Sequence, residues 1–180
     1  MKKIRTKFKD VFLIENASYS DNRGKFYEFY KSNFIYGSSS SKFVQDNYSF
    51  SKKNVIRGLH FRDFDPQSQL VTVIDGEIFD IVVNINKKSK YYKEYLSITL
   101  NSNKVNQLFM PPGYAHGFCV LTKTATLLYK VDKYYNPKYE KGIVWNDSDV
   151  GIKWPINKPI VSKRDKLFPK LNEIADDIKF

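Results

Sequence analysis

One cysteine and two histidines in 180 residues leave little material for several kinds of chemistry. The single thiol, Cys119, excludes an internal disulfide framework and fits a reducing compartment, so a cytoplasmic location is expected. It sits in an apolar run, which reads as a small buried residue. A protein metal site ordinarily takes several ligands at defined spacing. Neither a His-x-His pair nor a cysteine pair occurs, and no metal is expected. Runs of about 18 apolar residues are lacking too, so no membrane-spanning helix and no membrane partner are expected. The basic start Met1-Lys2-Lys3-Ile4-Arg5 is not followed by an apolar stretch, and no signal peptide is expected.

What is plentiful is positive charge, aromatic area and strand-forming sequence. Thirty Lys and Arg against nineteen Asp and Glu give a formal charge of +11. That balance favours anionic partners: nucleic acid, an anionic surface or phosphorylated small molecules. The lysines are scattered rather than clustered, and no nucleic-acid-binding motif accompanies them, so a nucleic-acid role is not expected. At 42% hydrophobic and 16% aromatic the chain can bury a core, and its length suits one domain over residues 1–180.

The pattern is mainly β. Leu70-Val71-Thr72-Val73-Ile74, then Asp75-Gly76, then Glu77 to Val83 reads as a hairpin, because Gly takes positive φ readily and Asp tolerates it. Tyr95 to Leu100, Gln107 to Met110, His116 to Leu121 and Thr126 to Val131 are further strand candidates, separated by turn formers such as Pro111-Pro112-Gly113. The aromatic run Lys25 to Tyr30 also reads as a strand, with a short helix over Lys31 to Tyr36. Ser162 with Asp165 three residues on resembles a capping box opening a helix. Many short strands with few helices predict a sandwich or barrel.

Four positions draw attention as chemistry. His60 stands in Val55-Ile56-Arg57-Gly58-Leu59-His60-Phe61. A histidine on a strand is commonly a satisfied core or surface residue. Arg57 beside it, and Gly58 permitting close backbone approach, equally suit an anionic substrate carrying an acidic carbon. His116 follows a Pro-Gly turn at a strand start and reads either as structural or as a site residue. Tyr129 belongs to a strand whose end could reach a barrel mouth, or simply packs. Asp165 has a ready account as a helix-start acid. The residues alone leave these alternatives open.

Taken together, several strings resemble the dTDP-4-dehydrorhamnose 3,5-epimerase family. They are Asp21-Asn22-Arg23-Gly24, Phe43-Val44-Gln45-Asp46-Asn47, Val55 to Phe61, Gly76-Glu77-Ile78-Phe79-Asp80, Pro111 to Phe118, Leu128-Tyr129-Lys130, and Val144-Trp145-Asn146-Asp147 with Gly151 to Pro155. They occur in the family's order over about residues 8 to 170. The resemblance implies an all-β double-stranded β-helix (cupin, jelly-roll) with few short helices. It also implies a homodimer with N-terminal strands shared, and cofactor-independent epimerisation of a nucleotide-diphospho-4-keto-6-deoxysugar for surface polysaccharide. His60 would be the base, Asp165 its orienting partner and Tyr129 the acid on the other face. Arg57 and His116 would lie beside the sugar. Arg23, Gln45 and Asn47 would hold the nucleotide diphosphate and sugar, with Glu28 and Tyr135 as further contacts. The chain departs from the family around the sugar. Gln69 stands where a lysine usually donates to the C4 oxygen, Arg62 where a glutamine follows His-Phe, and Tyr48 where a histidine follows Gln-Asp-Asn. Inversion at C3, at C5 or at both, a GDP-linked hexose or heptose, a 3,4-ketoisomerase and a non-catalytic sugar-nucleotide binder therefore stand as variants.

Overall fold

Strand-forming runs dominate the computed structural model, which describes residues 1–36 and 42–179. In chain order the elements are β1 (Lys2–Arg5), β2 (Phe12–Glu15), β3 (Ser18–Asp21), β4 (Gly24–Tyr27), α1 (Ser32–Tyr36), β5 (Gln45–Lys52), β6 (Val55–Phe61), β7 (Gln69–Asp75), β8 (Glu77–Asn84), β9 (Tyr95–Asn101) and β10 (Gln107–Met110). Then follow β11 (Tyr114–Val120), β12 (Thr124–Val131), β13 (Lys141–Gly142), β14 (Ile160–Val161), α2 (Lys163–Lys166) and α3 (Leu171–Ile174).

One sheet runs β1-β2-β10-β7-β12-β5 and the other β13-β6-β11-β8-β9, with β14 parallel to β6. The facing sheets make the jelly roll that the strand spacing and the family resemblance predict. Val71, Val73, Leu108 and Leu127 of the first sheet and Ile78, Val82, Phe118 and Val120 of the second form the core between them. Ile81, Val83, Leu59 and Phe61 point the other way, under Ile143, Val150 and Leu171. The second sheet is therefore buried on both faces, and β8 reads as nearly continuous apolar sequence for that reason.

The expected Asp75-Gly76 hairpin is corrected. β7 pairs with β10 and β12, whereas β8 pairs with β9 and β11. Gly76, at φ +78°, turns the chain from one sheet into the other, and a Cβ there would lie 2.2 Å from the Thr124 carbonyl oxygen. Turn chemistry reports a sharp reversal but not the pairing partner. Two strands that are each buried on both sides find their neighbours elsewhere. The strand expected over Lys25 to Tyr30 ends at Tyr27, because its partner β3 offers a ladder only from Asp21 to Ser18. The expected helix start holds: Ser162 Oγ accepts from the Asp165 N–H at 3.0 Å.

Candidate active site

On β6 the side chains of Arg57 and His60 line one cavity, although three residues apart is the wrong spacing for one face of a regular strand. A bulge resolves this. β11 advances from His116 to Phe118 while β6 passes from His60 back to Arg57, so β6 absorbs one extra residue. Gly58, at φ +118°, lies at the crossing, where a Cβ would come within 2.6 Å of both Gly117 Cα and the His116 carbonyl oxygen. Two facing glycines thus set the approach that brings Arg57, His60 and His116 to one wall.

α2 supplies the carboxylate. Asp165 does not close the capping box with its side chain. Instead Oδ2 accepts from the Gly58 N–H at 3.3 Å, and Oδ1 lies 2.9 Å from His60 Nε2. Asp165 is buried. Burial by itself pushes the carboxyl up. The His60 hydrogen bond and charge, with the Gly58 N–H and Ser162, outweigh it and hold Asp165 at about 2. An ionised Asp165 accepting Nε2–H fixes one tautomer and leaves the other ring nitrogen its lone pair. The same arrangement repeats beside it: His116 Nε2 lies 3.0 and 2.9 Å from the two oxygens of buried Asp80. There burial raises the carboxyl, opposed by His116.

The depressed Asp165 value makes a stability prediction. A lowered folded-state value means that the contribution is complete above the unfolded value and is lost as pH falls through the folded one. Between pH 3.8 and about 2 the stability difference between wild type and Asp165→Asn should shrink. The loss is roughly 2 kcal/mol. Paired urea titrations across that interval measure it; a constant difference contradicts the assignment.

The facing sheet completes the cavity, which encloses about 240 Å³. Tyr129 on β12 lines it opposite His60, with Gln45, Asn47 and Ser49 from β5 and Gln69 from β7. Burial raises the Tyr129 phenol, Glu140 and Tyr135 add to that, and Arg57 opposes it. Gln45 is fixed twice: its Nε2 donates to Asn47 Oδ1 at 2.8 Å, and its Oε1 accepts from the Tyr135 N–H at 2.9 Å. Tyr135 also lines the cavity.

Arg23 and Glu28 lie apart from this group. Arg23 pairs with Asp21 at 2.6 Å on the exposed β3–β4 hairpin, and Glu28 with Lys31 at 2.7 Å. Conversely, Ser49, Gln67, Glu140 and Arg164 line the cavity without having been singled out in the sequence. Burial raises the Glu140 carboxyl, against the positive charges of His60, Arg62 and Arg164. Arg164 Nη2 lies 3.2 Å from His60 Nε2. Its place beside Asp165 in the chain was the available signal. Glu140, between Tyr135 and the Val144 string but part of neither, offered none. Arg62 is buried and donates to Gln67 Oε1 and the Tyr134 carbonyl at 3.1 and 3.2 Å, tying two loops of the cavity mouth together. Among the described residues no group of three or more His, Cys, Asp or Glu could hold a metal ion, and no helix is long and apolar enough to cross a membrane.

Residues 5–173 match the family described as dTDP-4-dehydrorhamnose 3,5-epimerase. A relative of that name from Salmonella typhimurium is 41% identical over 174 residues, covering 94% of this chain and 95% of its own. Among solved structures, the Legionella pneumophila dTDP-6-deoxy-D-glucose-3,5-epimerase in complex with dTDP-4-keto-L-rhamnose superimposes with a TM-score of 0.93 at 33% identity, over 99% of this chain and 98% of that one. The Bacillus anthracis dTDP-4-dehydrorhamnose 3,5-epimerase with TDP and PPi bound gives 0.90 at 38% identity, over 94% and 98%.

Proposed function

The chain belongs to the dTDP-4-dehydrorhamnose 3,5-epimerase family, and from that premise we propose that it inverts C3 and C5 of a dTDP-linked 4-keto-6-deoxyhexose. Dehydrogenation is not part of such a reaction, so no redox cofactor is needed. The ketone at C4 acidifies the hydrogens on both neighbouring carbons. A base removes one, the electron pair moves onto the C4 oxygen as an enolate, and an acid returns a proton to the opposite face. The observation that carries the reading is the His60–Asp165 pair, 2.9 Å apart, with Tyr129 on the facing sheet.

His60 is the base in this proposal. Asp165 holds its ring and stabilises the imidazolium that forms. Tyr129 is the acid, and burial keeps its phenol protonated well above neutral pH. Arg57, His116 and Gln69 contact the sugar, and Gln45, Asn47 and Tyr135 lie toward the nucleotide. The cavity, at about 240 Å³, is smaller than the roughly 300–1,000 Å³ that enclose a drug-sized ligand. That suits a buried sugar with the nucleotide at the mouth. The dTDP and TDP groups bound by the relatives favour dTDP over a GDP-linked hexose or heptose.

A second copy of the chain is part of the proposal, with residues 1–180 acting as one domain in the cytoplasm. β5 is an edge strand whose outward side chains include Tyr48 and Phe50, exposed to 66% and 50%. Edges and aromatic patches of this kind call for a cover. The β3–β4 hairpin carries exposed Tyr19 and Phe26 and would cross to the partner, where Arg23 and Glu28 would serve the neighbouring site.

Parallel reactions of dTDP- and GDP-linked 4-keto sugars in deuterated water, with the product mapped by NMR, test the reading. Inverted C3 and C5 with the carbonyl still at C4 is the expected product. A carbonyl at C3 means a ketoisomerase, and no exchange at all means a binding protein. Tyr129→Phe should slow inversion at least about tenfold more than initial proton loss. Comparing washout of a C3 deuteron with product formation separates the two; equal slowing removes Tyr129 as the acid.

A further inference from the structure

Proton removal beside the C4 ketone leaves negative charge on that oxygen, and a charged donor stabilises it better than a neutral amide. Gln69 on β7 is such a neutral amide. Among the described residues lining the cavity the arginines and lysines are two, Arg57 and Arg164. Arg57 is turned toward β5, its Nε–H donating to Ser51 Oγ at 2.9 Å and its Nη2 to the Phe50 carbonyl at 3.4 Å.

Arg164 is placed differently. Its Nη2 lies 3.2 Å from His60 Nε2, its guanidinium stands 5.7 Å over the Phe168 ring, and its side chain is half exposed. When Nε2–H donates its hydrogen bond to Asp165, that nitrogen has no lone pair left for Arg164. The contact is then adjacency rather than a hydrogen bond. Nε–H is directed at Asp165 Oδ1, at 3.4 Å, and the other guanidinium donors stand beside the base. Once His60 has taken the substrate proton, like charge drives the guanidinium from the ring just as negative charge appears on the substrate. A diphosphate is a poorer occupant of this corner, since the Glu140 carboxyl lines the same cavity.

We propose that Arg164 is the cationic donor to the enolate oxygen, bringing from beside the base the charge that Gln69 does not bring. The proposal rests on the epimerase reading. Its test is the steady-state rate of deuterium exchange into dTDP-4-dehydro-6-deoxyglucose, with dTDP affinity measured by calorimetry on the same variants. Arg164→Gln should lower kcat about a hundredfold or more while dTDP affinity stays within about threefold, and Arg164→Lys should keep more of the rate. Adding Gln69→Lys to Arg164→Gln should recover about tenfold, because a lysine there restores a charged donor. A kcat for Arg164→Gln within about threefold of wild type, a loss confined to KM and dTDP affinity, or a double variant no faster than the single one overturns it. No exchange by the wild type is a different outcome: it overturns the epimerase reading, and this inference with it.

Discussion

His60→Ala should abolish deuterium uptake at both C3 and C5 of a dTDP-linked 4-keto-6-deoxyhexose and leave dTDP binding within about threefold. A positioned general base contributes on the order of 10²–10⁴ in rate. The other cavity histidine is held at its own place on the wall, its Nε2 3.0 and 2.9 Å from the two oxygens of Asp80. Alanine also strips Asp165 of its partner at 2.9 Å and leaves a buried carboxylate with the Gly58 N–H at 3.3 Å as its β6 contact. A stability loss of about 1–3 kcal/mol should accompany the loss of rate. Exchange at both carbons and calorimetric dTDP affinity, measured on one preparation, check both parts. Exchange surviving at either carbon shows that a different group removes that proton.

A large loss of stability should come from Gly58→Ala. The added Cβ meets two backbone atoms at 2.6 Å, neither of which can swing aside as a side chain would, and the residue sits at φ +118°. Backbone strain and overpacking together cost about 3 kcal/mol or more. The bulge that places Arg57 and His60 on one wall is lost with the close approach, so activity should fall as well. Gly24→Ala provides the control. It has a comparable φ of +132°, yet nothing within 4 Å of the new Cβ, so strain of roughly 1–3 kcal/mol alone applies. Chemical denaturation of both variants gives the comparison. Equal losses would mean that the Gly58–Gly117 contact contributes nothing beyond backbone preference.

Much of the fold was legible because apolar alternation and turn residues are local. β10 is read to the residue at Gln107–Met110, and β9, β11 and β12 lie within two residues of their expected ends. Pairing was not legible, since Asp75-Gly76 carries the chemistry of a turn without naming the strands on either side as partners. β5 holds a further lesson. Its inward residues Gln45, Asn47, Ser49 and Ser51 are polar and its outward ones include Tyr48 and Phe50, the reverse of a core strand. Such an inversion marks a strand that faces a polar cavity on one side and exposes apolar surface on the other. It was present in the sequence as plain alternation.

The candidate site was legible in proportion to how local its parts are. Arg57, Gly58 and His60 lie in one string, but their common face depends on a bulge that regular strand spacing hides. Asp165 read as a cap, and its N–H does meet Ser162, while its carboxylate serves β6, more than a hundred residues away in sequence. Nothing local marks Glu140, whose position follows from the path of the loop after Tyr135. Arg23 belongs to one of the matching strings and Glu28 follows shortly after it, yet Arg23 stands on the β3–β4 hairpin and Glu28 just past it, both outside this chain's own cavity.

In the proposed reaction this cavity removes and returns protons on both sides of a C4 ketone. Wild-type protein incubated with dTDP-4-dehydro-6-deoxyglucose in deuterated water tests it directly, with deuterium read by NMR at each sugar carbon. The expected product carries deuterium at C3 and C5 with both centres inverted and the carbonyl retained at C4. Product protonated at both carbons, or no product at all, contradicts the account.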